Sequence, residues 1–415
     1  MRFFSSLSFK YIVIVVIAML LYKECVIKRD KDFDIFIGAS KLISNGKICY
    51  DTWILSGTSG LKYYYSPLFA VLLFPFKDLP QIAYYFIWLS INLILVYRIF
   101  KLLPIFLNID KLTVKQKEVF YLLTGLASAR FFFDTFSLGQ MTFVLVWGSL
   151  EALRLVLLDK LIKGAALLGL IVNIKLIPVG VLAYLFYVKK IKAGVYTSLF
   201  FLLFLILPAP LIGFHFNNEL LSKWFNTITS TTSESIMDDY GRQSLSSFIP
   251  ALLMDTPVQF DLKRNFISLL PQQVNLILTL VRLTLMIMLL FLFGNPFRKI
   301  ISKKEFFYHL SLICLITPLF FPHQGKYSFF YLLPGQAYCV YSLIKLKGLD
   351  TKMKHHKIYK KTLTFFVLSF ILLTLTTDGL IGRRLSNLCE YLQFITLGSF
   401  CLLFAMTYLK PKVNF

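Results

Sequence analysis

The sequence predicts an all-α integral membrane protein of about twelve transmembrane helices at about 20 residues each, with an interfacial helix in its first external loop. Three observations predict it. Hydrophobic residues make up 57% of the 415 and charged residues only 16%, where a soluble domain carries about 25% charged. Mean hydropathy is +0.70. Apolar runs long enough to cross a bilayer recur along the chain, separated by short basic loops. The 44 Lys and Arg outnumber 21 Asp and Glu, for a net charge of +23. Because these cations sit in inter-span loops, the excess reads as the positive-inside pattern and calls for no nucleic-acid partner.

The elements follow in order. Residues 1–10 are basic, and the apolar run from Phe9 to Val26 has no small-x-small cleavage site after it. It is read as a retained first span with a cytoplasmic N-terminus. Residues 28–66 form the first external loop. There Ile35, Phe36, Ala39, Leu42 and Ile43 recur at helical spacing and predict an amphipathic helix at the membrane surface. Tyr63, Tyr64 and Tyr65 suit the aromatic belt.

Pro67 to Phe76 is apolar but short and is broken by Lys77-Asp78-Leu79-Pro80. Reading it as a half-helix on the outer side keeps Lys101, Lys111, Lys115 and Lys117 in the cytoplasm after a span over 81–103. Spans near 118–133, 139–158, 163–173, 175–188 and 194–212 then alternate, which keeps Lys160, Lys163 and Lys189 to Lys192 inside. Asp134, Gln140 and Lys175 come out on the face that carries Asp32.

A second external loop covers 213–271, too polar for lipid. Spans near 272–293, 304–321, 327–345, 362–377 and 388–409 complete a single domain over 1–415 with both termini cytoplasmic. Cys25, Cys49, Cys314, Cys339, Cys389 and Cys401 are scattered, mostly in apolar runs, and read as inert buried thiols. No metal-ligand spacing and no nucleotide or cofactor motif is present. His355-His356 in a Lys-rich loop and Asp238-Asp239 in a polar one read as solvated segments.

Asp32-Phe33 with Phe36 and Ala39, then Gly46 and Tyr50, then Tyr65-Ser66-Pro67-Leu68 and Pro75 stand in a recognisable order. Leu138-Gly139-Gln140, Ile174 to Pro178, Gln243-Ser244-Leu245, and Thr317-Pro318 with His323 follow. Over about residues 30–335 this series resembles glycosyltransferase family 87, which includes polyprenyl-phosphate-mannose-dependent mannosyltransferases of the GT-C superfamily. The chain departs from it in having Phe36 where Tyr is usual and no Trp near Phe321.

The resemblance implies a GT-C-type fold and transfer of a hexose such as mannose from a polyprenyl-phosphate donor to a lipid or glycan acceptor on the outer face of the cell membrane. Asp32 matches the family's catalytic aspartate. A single carboxylate can take the proton of the acceptor hydroxyl while the lipid phosphate leaves from the opposite face. Asp34 is the alternative base or a substrate contact; two residues on, it points about 200° away around a helix, so the two acids cannot serve one hydroxyl.

The departing phosphate needs cations, and Lys175, Arg130 and Lys326 are the candidates, with His323 and Tyr327 close by in sequence. Arg130 can pair with Asp134 instead of meeting a ligand, and Lys175 can snorkel to headgroups. Gln140 and Gln243 can both donate to and accept from sugar hydroxyls, and Tyr65 offers a ring and a hydroxyl. No metal or cofactor is expected. The competing readings are a lipid-linked-glycan transporter or polymerase-like protein and a scaffold without catalysis. A transporter is expected to show internal repeats and broken mid-membrane helices, whereas the charge here collects at one face.

Overall fold

The computed structural model describes residues 7–27, 31–50, 54, 62–229, 241–256, 260–297, 302–322, 324–347 and 353–411. These are helical throughout, with turns and a lone bridge between Arg242 and Gly325 and no strand among them. The chain divides into two compact units. The first comprises Met1–Phe100, Thr135–Phe186 and Lys190–Ser230; the second comprises Lys101–Asp134, Tyr187–Lys189 and Thr231–Phe415.

Helix α1 runs Leu7–Tyr22 and continues into a π-turn, Lys23–Ile27. Helix α2, Asp32–Ser44, begins where Lys31 is extended and the Asp34 carboxylate, in the first turn, accepts the Lys31 N–H at 2.8 Å. It stops at Gly46, whose φ of +67° closes a Schellman motif: Gly46 N–H reaches Ile43 O and Lys47 N–H reaches Leu42 O. Ile35, Phe36, Ala39 and Ile43 are buried as their spacing predicts, but so are Phe33, Ile37 and Ser40, seven of 13 residues in all. That is wider than one apolar stripe.

Helix α3, Pro67–Leu72, is the short apolar segment the sequence predicts as a half-helix. Ser66 stands at its N-cap position without a side-chain capping bond, proline takes the first helical position, and a 3-10 turn at Phe74–Phe76 ends it. The first unit continues through α4 (Gln81–Leu107) as far as Phe100, α5 (Val114–Leu138) from Thr135 on, α6 (Thr142–Leu157), α7 (Leu161–Ile174), α8 (Val179–Tyr187) as far as Phe186, α9 (Ile191–Ile206), α10 (Ala209–Ile212) and α11 (Phe214–Thr229); the rest of α4 and α5 belongs to the second. The second unit holds α12 (Leu245–Leu253), α13 (Pro271–Phe293), α14 (Lys303–Phe320), a 3-10 segment Lys326–Leu332, α15 (Leu333–Lys347), α16 (Met353–Phe370), α17 (Asp378–Ile381), α18 (Arg383–Tyr391) and α19 (Phe394–Thr407).

Among the described residues, four helices are long and apolar enough to span: Gln81–Leu107, Ile191–Ile212, Pro271–Phe293 and His355–Leu375. The number rises to six if the broken pairs α5 with α6 and α18 with α19 each count as one. This is fewer than the charge alternation predicts, and for two of the predicted spans length is the reason. Helix α7 has 14 residues and α8 nine, so they extend about 21 Å and about 14 Å, short of a hydrocarbon core about 30 Å thick. Alternating basic loops mark where the chain turns, not whether each segment between turns is a full crossing.

Candidate active site

The turn after α5 is built on Gly139. Its φ is +65°, Gly139 N–H bonds Phe136 O at 3.1 Å and Gln140 N–H bonds Thr135 O at 3.0 Å, a second Schellman motif. A side chain at 139 would bring its Cβ to 3.1 Å from Phe33 Cβ and 3.5 Å from the Trp88 ring. Trp88 Nε1 donates to Gly139 O at 2.7 Å and its ring stacks on Phe33 with centroids 4.7 Å apart. This turn lies against the start of α2, so Gln140 reaches Asp32: Gln140 Nε2 donates to Asp32 Oδ2.

The segment before α3 is fixed to the end of α7. Ser66 N–H bonds Ile174 O at 3.2 Å, and Ser66 Oγ donates to Asn173 Oδ1 at 2.9 Å. Tyr63 Oη donates to Ser66 O at 2.9 Å, and Tyr50 Oη to Tyr65 O at 2.8 Å. Tyr65 packs on Phe36 and Phe69, with ring centroids 4.6 Å and 5.5 Å away. Its hydroxyl donates to Gln140 Oε1 at 3.0 Å and accepts from Lys175 Nζ at 3.3 Å. The Lys175 ammonium also lies 4.8 Å from the centre of the Tyr65 ring. Lys175, Tyr65, Gln140 and Asp32 thus form one chain of hydrogen bonds. Burial pulls the Lys175 ammonium down to about 8, and the Asp32 carboxylate opposes that fall.

Asp34 sits differently. Its Oδ1 accepts from Tyr84 Oη at 2.5 Å and from Gln81 Nε2 at 3.4 Å; its Oδ2 accepts from Tyr85 Oη and from Lys31 N–H. Four protein donors converge on it, and they tie the start of α2 to the start of α4. Behind this, Lys31 is buried: its Nζ is 2.6 Å from Glu24 Oε2 and donates to Ser137 O at 2.6 Å. Asp34 is engaged by the scaffold on both oxygens, while Asp32 faces an amide donor and a nearby ammonium.

In the second unit, Arg130, Gln243 and Lys326 meet at Glu390. Glu390 Oε1 accepts from Arg130 at 2.8 Å and from Lys326 at 2.9 Å, and the Glu390 backbone carbonyl accepts from Gln243 Nε2 at 2.9 Å. Arg130 pairs with Glu390 instead of Asp134, and its remaining bonds go to Thr376 Oγ1 at 2.7 Å and Leu373 O at 3.3 Å. The Arg130 side chain is 3% exposed and that of Lys326 33%, so Lys326 is the accessible end of the cluster. Asp134 feels the charges of Lys326, Arg130 and Glu390. Tyr327 is partly exposed on the same 3-10 segment, and His323 lies outside the described residues.

Sequence reasoning missed Glu24, Lys31, Tyr84, Tyr85 and Glu390. One signal existed for the first: a carboxylate inside the opening apolar run is costly unless paired. The tyrosines lie 50 and 51 residues from Asp34, and Glu390 lies 260 from Arg130. No spacing rule reaches so far.

Compared with known proteins, residues 63–322, more than half of the chain, match the model of glycosyltransferase family 87. Tyr65, Arg130, Asp134, Gln140, Lys175 and Gln243 fall within the match; Asp32 and Asp34 precede it. No curated protein and no solved structure matches.

Proposed function

The chain belongs to glycosyltransferase family 87, and on that premise we propose that it transfers a hexose such as mannose from a polyprenyl-phosphate donor to a lipid or glycan acceptor, with Asp32 as the general base. The observation that carries the reading is the bond network of the first unit: Asp32, Gln140, Tyr65 and Lys175 come from four distant stretches of sequence and join directly. A carboxylate that accepts an acceptor's proton needs an orienting donor and a nearby positive charge to stay ionised. Gln140 and Lys175 supply them. Asp34, held by four donors, serves the scaffold instead.

In this reading the acceptor hydroxyl approaches Asp32, the oxygen attacks the sugar's anomeric carbon, and the polyprenyl phosphate leaves from the opposite face as a phosphomonoester. Its growing negative charge is met by a cation, and Lys175 is the one in the Asp32 cluster. The chemistry lies at the outer surface of a multi-pass membrane protein with α2 at the interface. The transporter alternative fits less well, because the family the chain belongs to is one of glycosyltransferases.

The test is direct. Full-length protein purified in mild detergent is offered radiolabelled polyprenyl-phosphate mannose and a membrane-lipid extract, and labelled product is followed. Time-dependent transfer is expected. Movement of intact donor across vesicle membranes without transfer would replace this reading with the transporter.

A further inference from the structure

The bonds joining Lys175 to Asp32 have a fixed direction. An ammonium can only donate and a carboxylate can only accept. Tyr65, which accepts from Lys175 Nζ at 3.3 Å, spends its own proton on Gln140 Oε1 at 3.0 Å. That fixes the amide: with its oxygen held by the phenol, its nitrogen faces Asp32 Oδ2. Amide orientation is decided by such networks, and here both ends enforce the same answer. Gln140 is 4% and Tyr65 5% exposed, so the two middle members are enclosed. The Gly139 turn and the Ser66–Asn173 bond hold each of them from its own backbone.

We propose that Gln140 is a positioning residue for Asp32, and that Tyr65, backed by Lys175, locks the Gln140 amide in the orientation that donates to the carboxylate. This rests on Asp32 acting as the base. It departs from the sequence-based expectation that Gln140 and Tyr65 bind sugar. A base needs one lone pair aimed at the incoming hydroxyl; the amide bond takes Oδ2 and so fixes the carboxylate plane. If the amide turned over, its oxygen would face Asp32, and two acceptors in contact would favour the protonated, inactive acid. Among the described residues, Lys175 is coupled to Asp32 by charge, and Lys31 and Asp34 stand at the start of the same helix. Lys31 is paired with Glu24 and Asp34 is engaged by its four donors.

The experiment uses full-length protein with radiolabelled polyprenyl-phosphate mannose and a membrane-lipid extract, and compares wild type with Gln140→Glu, Tyr65→Phe, the double variant and Asp32→Asn across pH. Gln140→Glu replaces the donor by a second acid. Its kcat is expected to fall by about tenfold or more, as for a lost hydrogen bond to a charged group. The acid limb of its pH–rate profile should rise by about one unit, as for two carboxylates sharing a site. The donor KM should stay within about twofold, because an interaction acting through the base is felt in kcat.

Tyr65→Phe keeps the ring and removes the lock. It is expected to lower kcat by about threefold to tenfold and raise the acid limb in the same direction, with the double variant losing less than the product of the singles. A raised donor KM with an unmoved acid limb in Gln140→Glu would overturn the proposal and return Gln140 to the sugar. If that variant does not fold, a wild-type kcat and acid limb in Tyr65→Phe overturns it equally. Asp32→Asn separates the levels: full turnover there removes the base itself, whereas loss there beside a wild-type Gln140→Glu profile removes only the positioning role.

Discussion

Replacing Lys31 by methionine is expected to loosen the whole entry to α2. The Lys31 side chain is fully buried and that of Glu24 is 5% exposed, with N and O 2.6 Å apart. The same ammonium donates to Ser137 O, two residues before the Gly139 turn. Lys31→Met leaves a buried carboxylate without its cation and the Ser137 carbonyl without this donor. Removing one partner of a buried pair costs about 3–5 kcal/mol, a large share of the roughly 5–15 kcal/mol that holds a domain folded. The double variant Glu24→Leu/Lys31→Met removes both charges, and a buried pair replaced by apolar groups is near neutral. Its expected loss is about 1 kcal/mol, from the bond to Ser137 alone.

The order of stability is therefore wild type, then double variant, then Lys31→Met. The assay is chemical denaturation in mild detergent, with tryptophan fluorescence as the signal; Trp88, stacked on Phe33 beside this turn, reports locally. A double variant that loses the sum of both single variants would refute the pairing as the source of stability.

Other perturbations follow from the same contacts. Gly139→Ala forces a side chain into a left-handed backbone, at about 1–2 kcal/mol, and against Phe33; turnover should fall with stability, and a variant as stable and active as wild type would show the turn is not needed. Burial lowers the Lys175 proton affinity to about 8, so the folded chain holds fewer protons than the unfolded one between about pH 8 and the ordinary lysine range, and Lys175's contribution makes stability rise with pH there. If the ammonium is the working form, turnover should instead decline above about pH 8, and Lys175→Arg should carry that limb to higher pH; an unmoved limb would assign it to another group. Glu390→Gln should destabilise the second unit by about 3–5 kcal/mol, since Arg130 would keep its charge in a buried place; thermal stability of the detergent-solubilised variant measures it.

Much of this architecture can be read from the chain, and the rest is hidden for definable reasons. The helix over 32–44 shows itself because Ile35, Phe36, Ala39 and Ile43 repeat at helical spacing and Gly46 stops it. The half-helix after Ser66 shows itself through Pro67, Pro75 and Pro80. Charge alternation grouped Asp134, Gln140 and Lys175 with Asp32; Asp134 belongs to the second unit, while the hydrogen bonds of the first unit join Asp32, Gln140 and Lys175 through Tyr65. The directional bonds among them, the four donors on Asp34 and the role of Glu390 are tertiary. They depend on pairs separated by tens to hundreds of residues, and periodicity is silent on such pairs. Four to six of the twelve predicted spans are long and apolar enough to cross among the described residues; α7 and α8 are apolar but too short to cross alone.

The measurement that bears most directly on the central claim is single-turnover transfer from labelled polyprenyl-phosphate mannose by Asp32→Asn beside Asp34→Asn, each checked for donor binding. Asp32→Asn is expected to bind donor normally and lose about 10²-fold to 10⁴-fold in rate, the range of a general base, while Asp34→Asn keeps a measurable rate on a less stable protein. Wild-type transfer by Asp32→Asn, with the loss falling on Asp34→Asn instead, would contradict it.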